Sequence, residues 1–158
     1  MTSVTPTAWI VRPETDADRP QVREVNLAAF PTAEEADLVE ALRADPAAWR
    51  PGLSWVAEHP GGGIAGFALL TRCHVDGPPN AAGSAPGRAP GSAPGSAPGS
   101  AVSLATGGAA GTALALGPCA VRPEAQRRGA GSAAIRGALE AAREQGENMV
   151  LVLGHAEY

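Results

Sequence analysis

Apolar positions along this chain recur with two different periods, and the switches between them mark out its elements. Ala8-Trp9-Ile10-Val11-Arg12 is short and mostly apolar, and Pro13 closes it, which predicts a first strand. Val22, Val25 and Ala29 then follow at helical spacing. Thr15, Asp16 and Asp18 are N-cap candidates for that helix, Pro20 suits only its first turn, and Pro31 stops it. A second helix is expected from about Ala33 to Ala44, turning either Ala36, Val39 and Leu42 or Leu38 and Leu42 inward. Ser54-Trp55-Val56-Ala57-Glu58 reads as a strand, Gly61-Gly62-Gly63 as its turn, and Ile64 to about Val75 as the strand that pairs back. Strand character resumes from Thr112 to Val121, with Leu114 and Leu116 alternating. A helix after Gly131 carries Ile135, Ala138, Leu139 and Ala142 on one face, with Gly146 as its C-cap. Met149-Val150-Leu151-Val152-Leu153 is a continuous apolar run, as expected of a strand buried on both faces. The order β-α-α-β-β-β-α-β places the chain in the α/β (α+β) class.

One stretch has neither period. Of the 35 residues from Gly77 to Gly111, 30 are Gly, Pro, Ser or Ala, and only Arg88 is charged. Ala-Pro-Gly-Ser repeats at 89–92, 93–96 and 97–100. So little apolar surface does not offset the entropy of ordering the chain. Residues 77–111 are therefore expected to form a disordered insertion within a single domain spanning 1–158.

The segment with the most chemical content is Val121-Arg122-Pro123-Glu124-Ala125-Gln126-Arg127-Arg128-Gly129-Ala130-Gly131, between a strand and an alanine-rich helix. A loop that opens a helix presents backbone N–H groups with no acceptor inside that helix. Those donors and the positive end of the helix dipole form a site for an anion such as a pyrophosphate. Glycine at 129 and 131 lets phosphates approach the backbone, and Arg127 and Arg128 add charge. The letters Gly129-Ala130-Gly131-Ser132-Ala133-Ala134 also satisfy a dinucleotide fingerprint. There, however, the first glycine follows the strand almost directly, whereas six residues intervene here. No Gly-Lys-Ser/Thr of a triphosphatase loop occurs. The bland alternative is a strand-to-helix turn with glycines for close packing.

The Gln-x-x-Gly-x-Gly core of this loop resembles the acyl-CoA loop of the GNAT N-acetyltransferase superfamily, and the element order agrees with that fold. Ile10-Val11-Arg12-Pro13-Glu14 and Leu53-Ser54-Trp55-Val56-Ala57-Glu58 look like the family's first two strands. The resemblance implies a mixed sheet in which the strand before the loop splays from the next, with pantetheine in the gap. By position, Cys119, Ala120 and Val121 would then offer backbone groups to the pantetheine arm. Arg127, Arg128, Gly129, Ala130, Gly131 and Ser132 would hold the pyrophosphate. The implied reaction transfers acetyl from acetyl-CoA to an amine of a small molecule or protein, with oxyanion donors near Ala120 and Val121. The alternative is a non-catalytic acyl-CoA-binding module or an inactive fragment.

Leu153-Gly154-His155-Ala156-Glu157-Tyr158 looks like the start of a family segment reading Tyr-Tyr-x-Arg-Phe-Gly-Phe. The second tyrosine of that pair often serves as general acid, and Tyr158 matches the first. This implies a chain truncated at its C-terminus, with the family's last helix and two strands missing. His155, Glu157 and Tyr158 are the candidates for proton transfer. Glu34, Glu35 and Asp37 are candidates for an amine-binding face, against the reading that they are solvated helix charges.

Composition narrows the partners. A formal net charge of -4 over 158 residues, with positive charge gathered at Arg122, Arg127 and Arg128, suits a small anionic cosubstrate and argues against nucleic acid. No apolar run approaches the ~20 residues a membrane helix needs, and no export signal is recognisable at Met1. Cys73 and Cys119 lack metal-type spacing, as do His59, His74 and His155, so no metal is expected. Two reduced thiols fit a cytoplasmic protein. A homodimer is left open.

Overall fold

The computed structural model describes residues 8–75 and 111–153. The insertion expected over 77–111 therefore lies outside the described residues, except for Gly111. Among the described residues, 8–73 and 113–153 form one compact unit. Of the separate group, 74–112, only the ends of two strands are described. Five strands and three α-helices follow one another as β1 (Ile10–Pro13), α1 (Arg19–Ala29), α2 (Glu34–Ala44), β2 (Ser54–Glu58), β3 (Ile64–Val75), β4 (Gly111–Val121), α3 (Ala130–Glu144) and β5 (Val150–Val152). Short 3-10 turns precede α1, at Asp16–Asp18, and α3, at Pro123–Ala125.

The strands form one mixed sheet in the order β1-β2-β3-β4-β5. β1/β2 and β2/β3 are antiparallel, whereas β4/β5 is parallel. Along β3 and β4, Cys73 lies against Ala113, Cys119 against Leu69, and Arg122 N–H donates to Ala65 O, so this pair is antiparallel too. The sheet thus reverses from antiparallel to parallel where β4 meets β5, and only a crossover such as α3 can join two parallel strands.

Both faces of the sheet are covered, which is why Ile64 to Leu70 reads as an unbroken apolar run. Leu53, Ala57, Ala65, Ala68, Leu70 and Leu114 pack under α3. Val56, Ile64, Phe67, Leu69 and Ala120 pack under Val22 and Val25 of α1 and Val39 of α2. α1 ends as its sequence predicts, because Phe30, preceding Pro31, is forced into an extended conformation (φ -118, ψ 151). Its entry is fixed by Asp18. That buried carboxylate accepts from Thr15 N–H and Oγ1 at 2.8 and 2.7 Å, and takes both ends of the Arg12 guanidinium at 2.6 and 2.9 Å. The arginine holds the Asp18 carboxyl well below the usual range.

Two expectations hold only in part, since Ala138 and Ala142 of the expected α3 face are buried and the closing strand is present. α3 buries Ala130, Ala134, Ala138 and Ala142, whereas Ile135 is only half-buried and Leu139 is 38% exposed. The helix sits too close for larger side chains. A Cβ on Gly66 would lie 3.0 Å from the Ala130 backbone, and one on Gly137 would lie 2.9 Å from both Trp55 Cζ3 and Val11 Cγ1. The closing strand is also shorter than predicted and is not buried on both faces, since Val152 is 66% and Leu153 74% exposed. β5 pairs only with β4 among the described residues, so its apolar run has an uncovered side.

The tight seat of α3 carries a prediction. Alanine at Gly137 should gain about 1 kcal/mol from helix propensity. The new methyl, however, meets a Trp55 ring anchored by its Nε1 donation to Gly52 O at 2.9 Å, and overpacking costs about 1–3 kcal/mol. A net loss of about 1 kcal/mol is expected in urea denaturation. A stabilised Gly137→Ala would mean that α3 stands further from the sheet.

Candidate functional site

The site grows from the place where β4 leaves β5. Pairing between them runs Leu114↔Val150, Ala115↔Leu151 and Leu116↔Val152. From Gly117 to Val121 β4 continues with no β5 partner among the described residues. Gly117, where the pairing with β5 stops, has φ +147. Among the described residues this leaves an unpaired stretch of β4 edge, the β4/β5 gap, beside the three residues expected to meet pantetheine.

Their backbone directions follow from one hydrogen bond. Arg122 N–H donates to Ala65 O at 2.9 Å, toward β3. Donors alternate sides along a strand, so Val121 and Cys119 point their N–H groups toward the gap and Ala120 points its own toward β3. Of the two positions near which oxyanion donors are expected, Val121 has its N–H on the open side and Ala120 has its own toward β3. The side chains alternate as well: Ala120 is buried under α1 and α2, whereas Cys119 and Val121 pack on the α3 side.

Burial pushes the Cys119 thiol up to about 11. At neutral pH its thiolate fraction is then about 100-fold below that of an ordinary cysteine. Alkylation of Cys119 at pH 7.5, followed by mass spectrometry, should be slower than that of a free thiol by about that factor. Fast labelling would mean that the Cys119 thiol is less buried than its place under α3 implies.

Beyond β4 the chain turns through Pro123–Ala125 and enters α3. Arg127 takes a left-handed conformation (φ 58), and Gly129, the N-cap, does too (φ 89). Ala133 N–H donates to Gly129 O at 2.9 Å, the first bond of the helix. The N–H groups of Ala130, Gly131 and Ser132 come before it and have no helical acceptor. Three donors and a dipole end converge next to the β4/β5 gap, which fits a pyrophosphate at one end of an extended ligand. The donor set therefore suits acetyl-CoA.

Two side chains hold this loop, a role that the sequence announces for neither. Gln126 Nε2 donates to Val121 O at 3.3 Å, and Trp9 Nε1 donates to Arg128 O at 2.8 Å. The glutamine is the first letter of the loop's motif. The tryptophan is 119 residues away, and no local pattern announces its contact.

The glycines are needed for reasons other than phosphate approach alone. Gly129 requires its positive φ, and a Cβ on Gly131 would lie 2.8 Å from Val121 Cγ2. The packing role weighed as an alternative is therefore present at Gly131, alongside the open donors. On α2, Asp37 is occupied by Arg23 at 2.8 Å, Glu34 is exposed, and Glu35 is half-buried with its Oε2 unpaired. His155, Glu157 and Tyr158 lie outside the described residues. Among the described residues no group of three or more His, Cys, Asp or Glu could hold a metal ion, and no helix is long and apolar enough to cross a membrane.

The acetyltransferase (GNAT) family model matches residues 19–157. The chain belongs to the GNAT family. It is 32% identical over 142 residues to the uncharacterized N-acetyltransferase YjhQ of Escherichia coli (strain K12), covering 90% of this chain and 61% of that protein. Among solved structures, a GNAT family acetyltransferase from Brucella melitensis in complex with acetyl-CoA aligns with TM-score 0.64 and 25% identity, over 96% of this chain and 79% of that one. YhbS from Escherichia coli in complex with CoA shares the fold at TM-score 0.64 and 18% identity, over 98% of this chain and 67% of that one. This GNAT chain thus spans about three-fifths of the YjhQ sequence it matches.

Proposed function

We propose that residues 1–158 belong to one N-acetyltransferase domain, which moves an acetyl group from acetyl-CoA to an amine of a small molecule or protein. The observation that carries this reading is the convergence of the Ala130, Gly131 and Ser132 donors with the gap along Gly117–Val121. Acetyl-CoA supplies an activated thioester. The chain's own part is to bind and to orient. The α3 N-terminus holds the pyrophosphate, with Arg127 and Arg128 adding long-range attraction. The free backbone edge of β4 holds the pantetheine arm, and Val121 N–H faces the oxygen on which negative charge develops.

The acceptor must present a neutral nitrogen. That nitrogen bonds to the acetyl carbon as the carbon–sulfur bond breaks, it releases a proton, and the departing sulfur takes one up. His155, Glu157 and Tyr158, which follow β5, are the residues we assign to that proton traffic. Two free thiols, Cys73 and Cys119, suit a reducing compartment such as the cytoplasm.

The test has two arms. Calorimetry with CoA measures binding, and thiol release from acetyl-CoA with a pooled amine library measures transfer. Binding with amine-dependent release is the expected result. Binding without release from any amine would favour a non-catalytic acyl-CoA module, and absence of binding would remove both readings.

A further inference from the structure

A second opening lies on the far side of the loop from β5. It is a cleft of about 380 Å³ between the β2–β3 turn and the end of β4, walled by Trp9, His59, Gly63, Arg122, Glu124 and Arg128. β3 flanks β4 on the side away from β5, so the cleft and the gap beside Gly117–Val121 lie on opposite sides of β4. Of the residues assigned to CoA, only Arg128 borders it. Its volume is within the range of small-molecule sites.

The walls have a definite chemistry. Trp9 and His59 meet edge to face, with ring centroids 5.8 Å apart at 73°, and give one aromatic side. Arg122 is held from beneath: its Nε donates to Ile64 O at 2.9 Å, and Nη2 reaches the exposed Glu24 at 3.2 Å. Nη1 carries no hydrogen bond among the described residues. The lining carries Arg122 and Arg128 beside Glu124, and the part of Arg122 left open toward it is Nη1. At Gly63 the wall is bare backbone, and a Cβ there would meet nothing within 4 Å.

The geometry points to a binding site for a small aromatic carboxylate, with its ring against Trp9 and its carboxylate on Arg122. Guanidinium and carboxylate match in charge and planarity, and the indole supplies a flat apolar surface. The site is separate from the transfer reaction, but it is linked to it. Trp9 Nε1 donates to Arg128 O, one residue before the Gly129 N-cap of α3. A ligand that fixes Trp9 also fixes that carbonyl, so CoA meets a loop already in place and binds more tightly. By linkage, CoA tightens the carboxylate by the same factor.

The probes are benzoate and its neutral analogue benzamide, titrated into the full chain while the indole N–H resonances of its three tryptophans are followed. Trp9, assigned through Trp9→Phe, should shift saturably with benzoate. Benzamide should bind about tenfold more weakly, and Arg122→Gln should weaken benzoate by about the same factor. CoA affinity should rise about fivefold at saturating benzoate. Absence of a saturable Trp9 shift, or equal responses to the two probes on the unaltered chain, overturns the site whether or not the arginine variant folds. Displacement of benzoate by CoA also overturns it, because the cleft would then lie on the cosubstrate's own path. Unchanged CoA affinity with benzoate bound overturns the link.

Discussion

Valine at Gly131 is expected to weaken CoA binding about 100-fold, or about 2.7 kcal/mol. The added Cβ would stand 2.8 Å from Val121 Cγ2, and Val121, itself β-branched, has little χ1 freedom with which to give way. The first turn of α3 must therefore move away from β4. That movement takes the Ala130, Gly131 and Ser132 donors off the axis of the gap. Valine at Gly129 should be comparably damaging by a different route. Space there is open as far as Trp9 Nε1 at 3.8 Å, but φ is +89, a conformation a branched L-residue adopts only under strain. The two routes separate in second variants. Val121→Ala should recover part of the binding lost in Gly131→Val and none of that lost in Gly129→Val. Asn at 129, which tolerates a left-handed backbone, should be milder than Val. Arg128→Ala should cost only a few-fold, since the backbone donors remain. Calorimetry with CoA on variants shown to be folded by thermal unfolding checks all of these. Unchanged affinity in both folded glycine variants would remove the pyrophosphate from the start of α3.

The loop was legible in the sequence because its chemistry is local. A strand, a polar turn with two glycines and a helix are consecutive in the chain, and backbone donors need no distant partner to be available. Element order was legible for the same reason, with prolines and glycines punctuating each period change. What was legible only in part depends on distance. Ile135, Ala138, Leu139 and Ala142 make a plausible apolar stripe, yet α3 rotates so that the alanine row 130, 134, 138, 142 faces the sheet. That choice is made by Trp55 and by the bare Gly66 and Gly137, residues on three different elements. The uncovered side of β5 is likewise a fact about its neighbours and not about Val150–Val152. That Trp9 and Gln126 brace the loop is not legible locally, because a hydrogen bond to a carbonyl leaves no periodic trace.

A buried acidic and basic pair locks α2 to the sheet. Arg43 of α2 and Glu14, just after β1, form an ion pair with side chains only 6% and 4% exposed. Ser54 of β2 donates to the same carboxylate, and Arg43 also reaches Glu40 at 2.5 Å and lies 6.0 Å from the Trp49 ring. Replacing Arg43 with methionine keeps much of its apolar stem while leaving Glu14 buried without a cation. Breaking a buried pair in this way costs about 3–5 kcal/mol. The loss should also depend on pH, with a definite sign. Burial already raises the Glu14 carboxyl above its ordinary value, against the opposing pull of Ser54 and Arg43. A carboxyl whose folded pKa is raised contributes stability below its unfolded pKa and loses it as pH rises through the folded one. Removing the arginine raises it further. Arg43→Met should therefore be less destabilised at pH 5 than at pH 8, with the gap growing by at most about 1.4 kcal/mol per pH unit. Adding Glu14→Gln should flatten that dependence and recover part of the stability, because no charge is then left to bury. Urea denaturation of the three proteins at the two pH values decides the matter. An equal loss at both would mean that Glu14 keeps access to water, and that Arg43 holds α2 by packing alone.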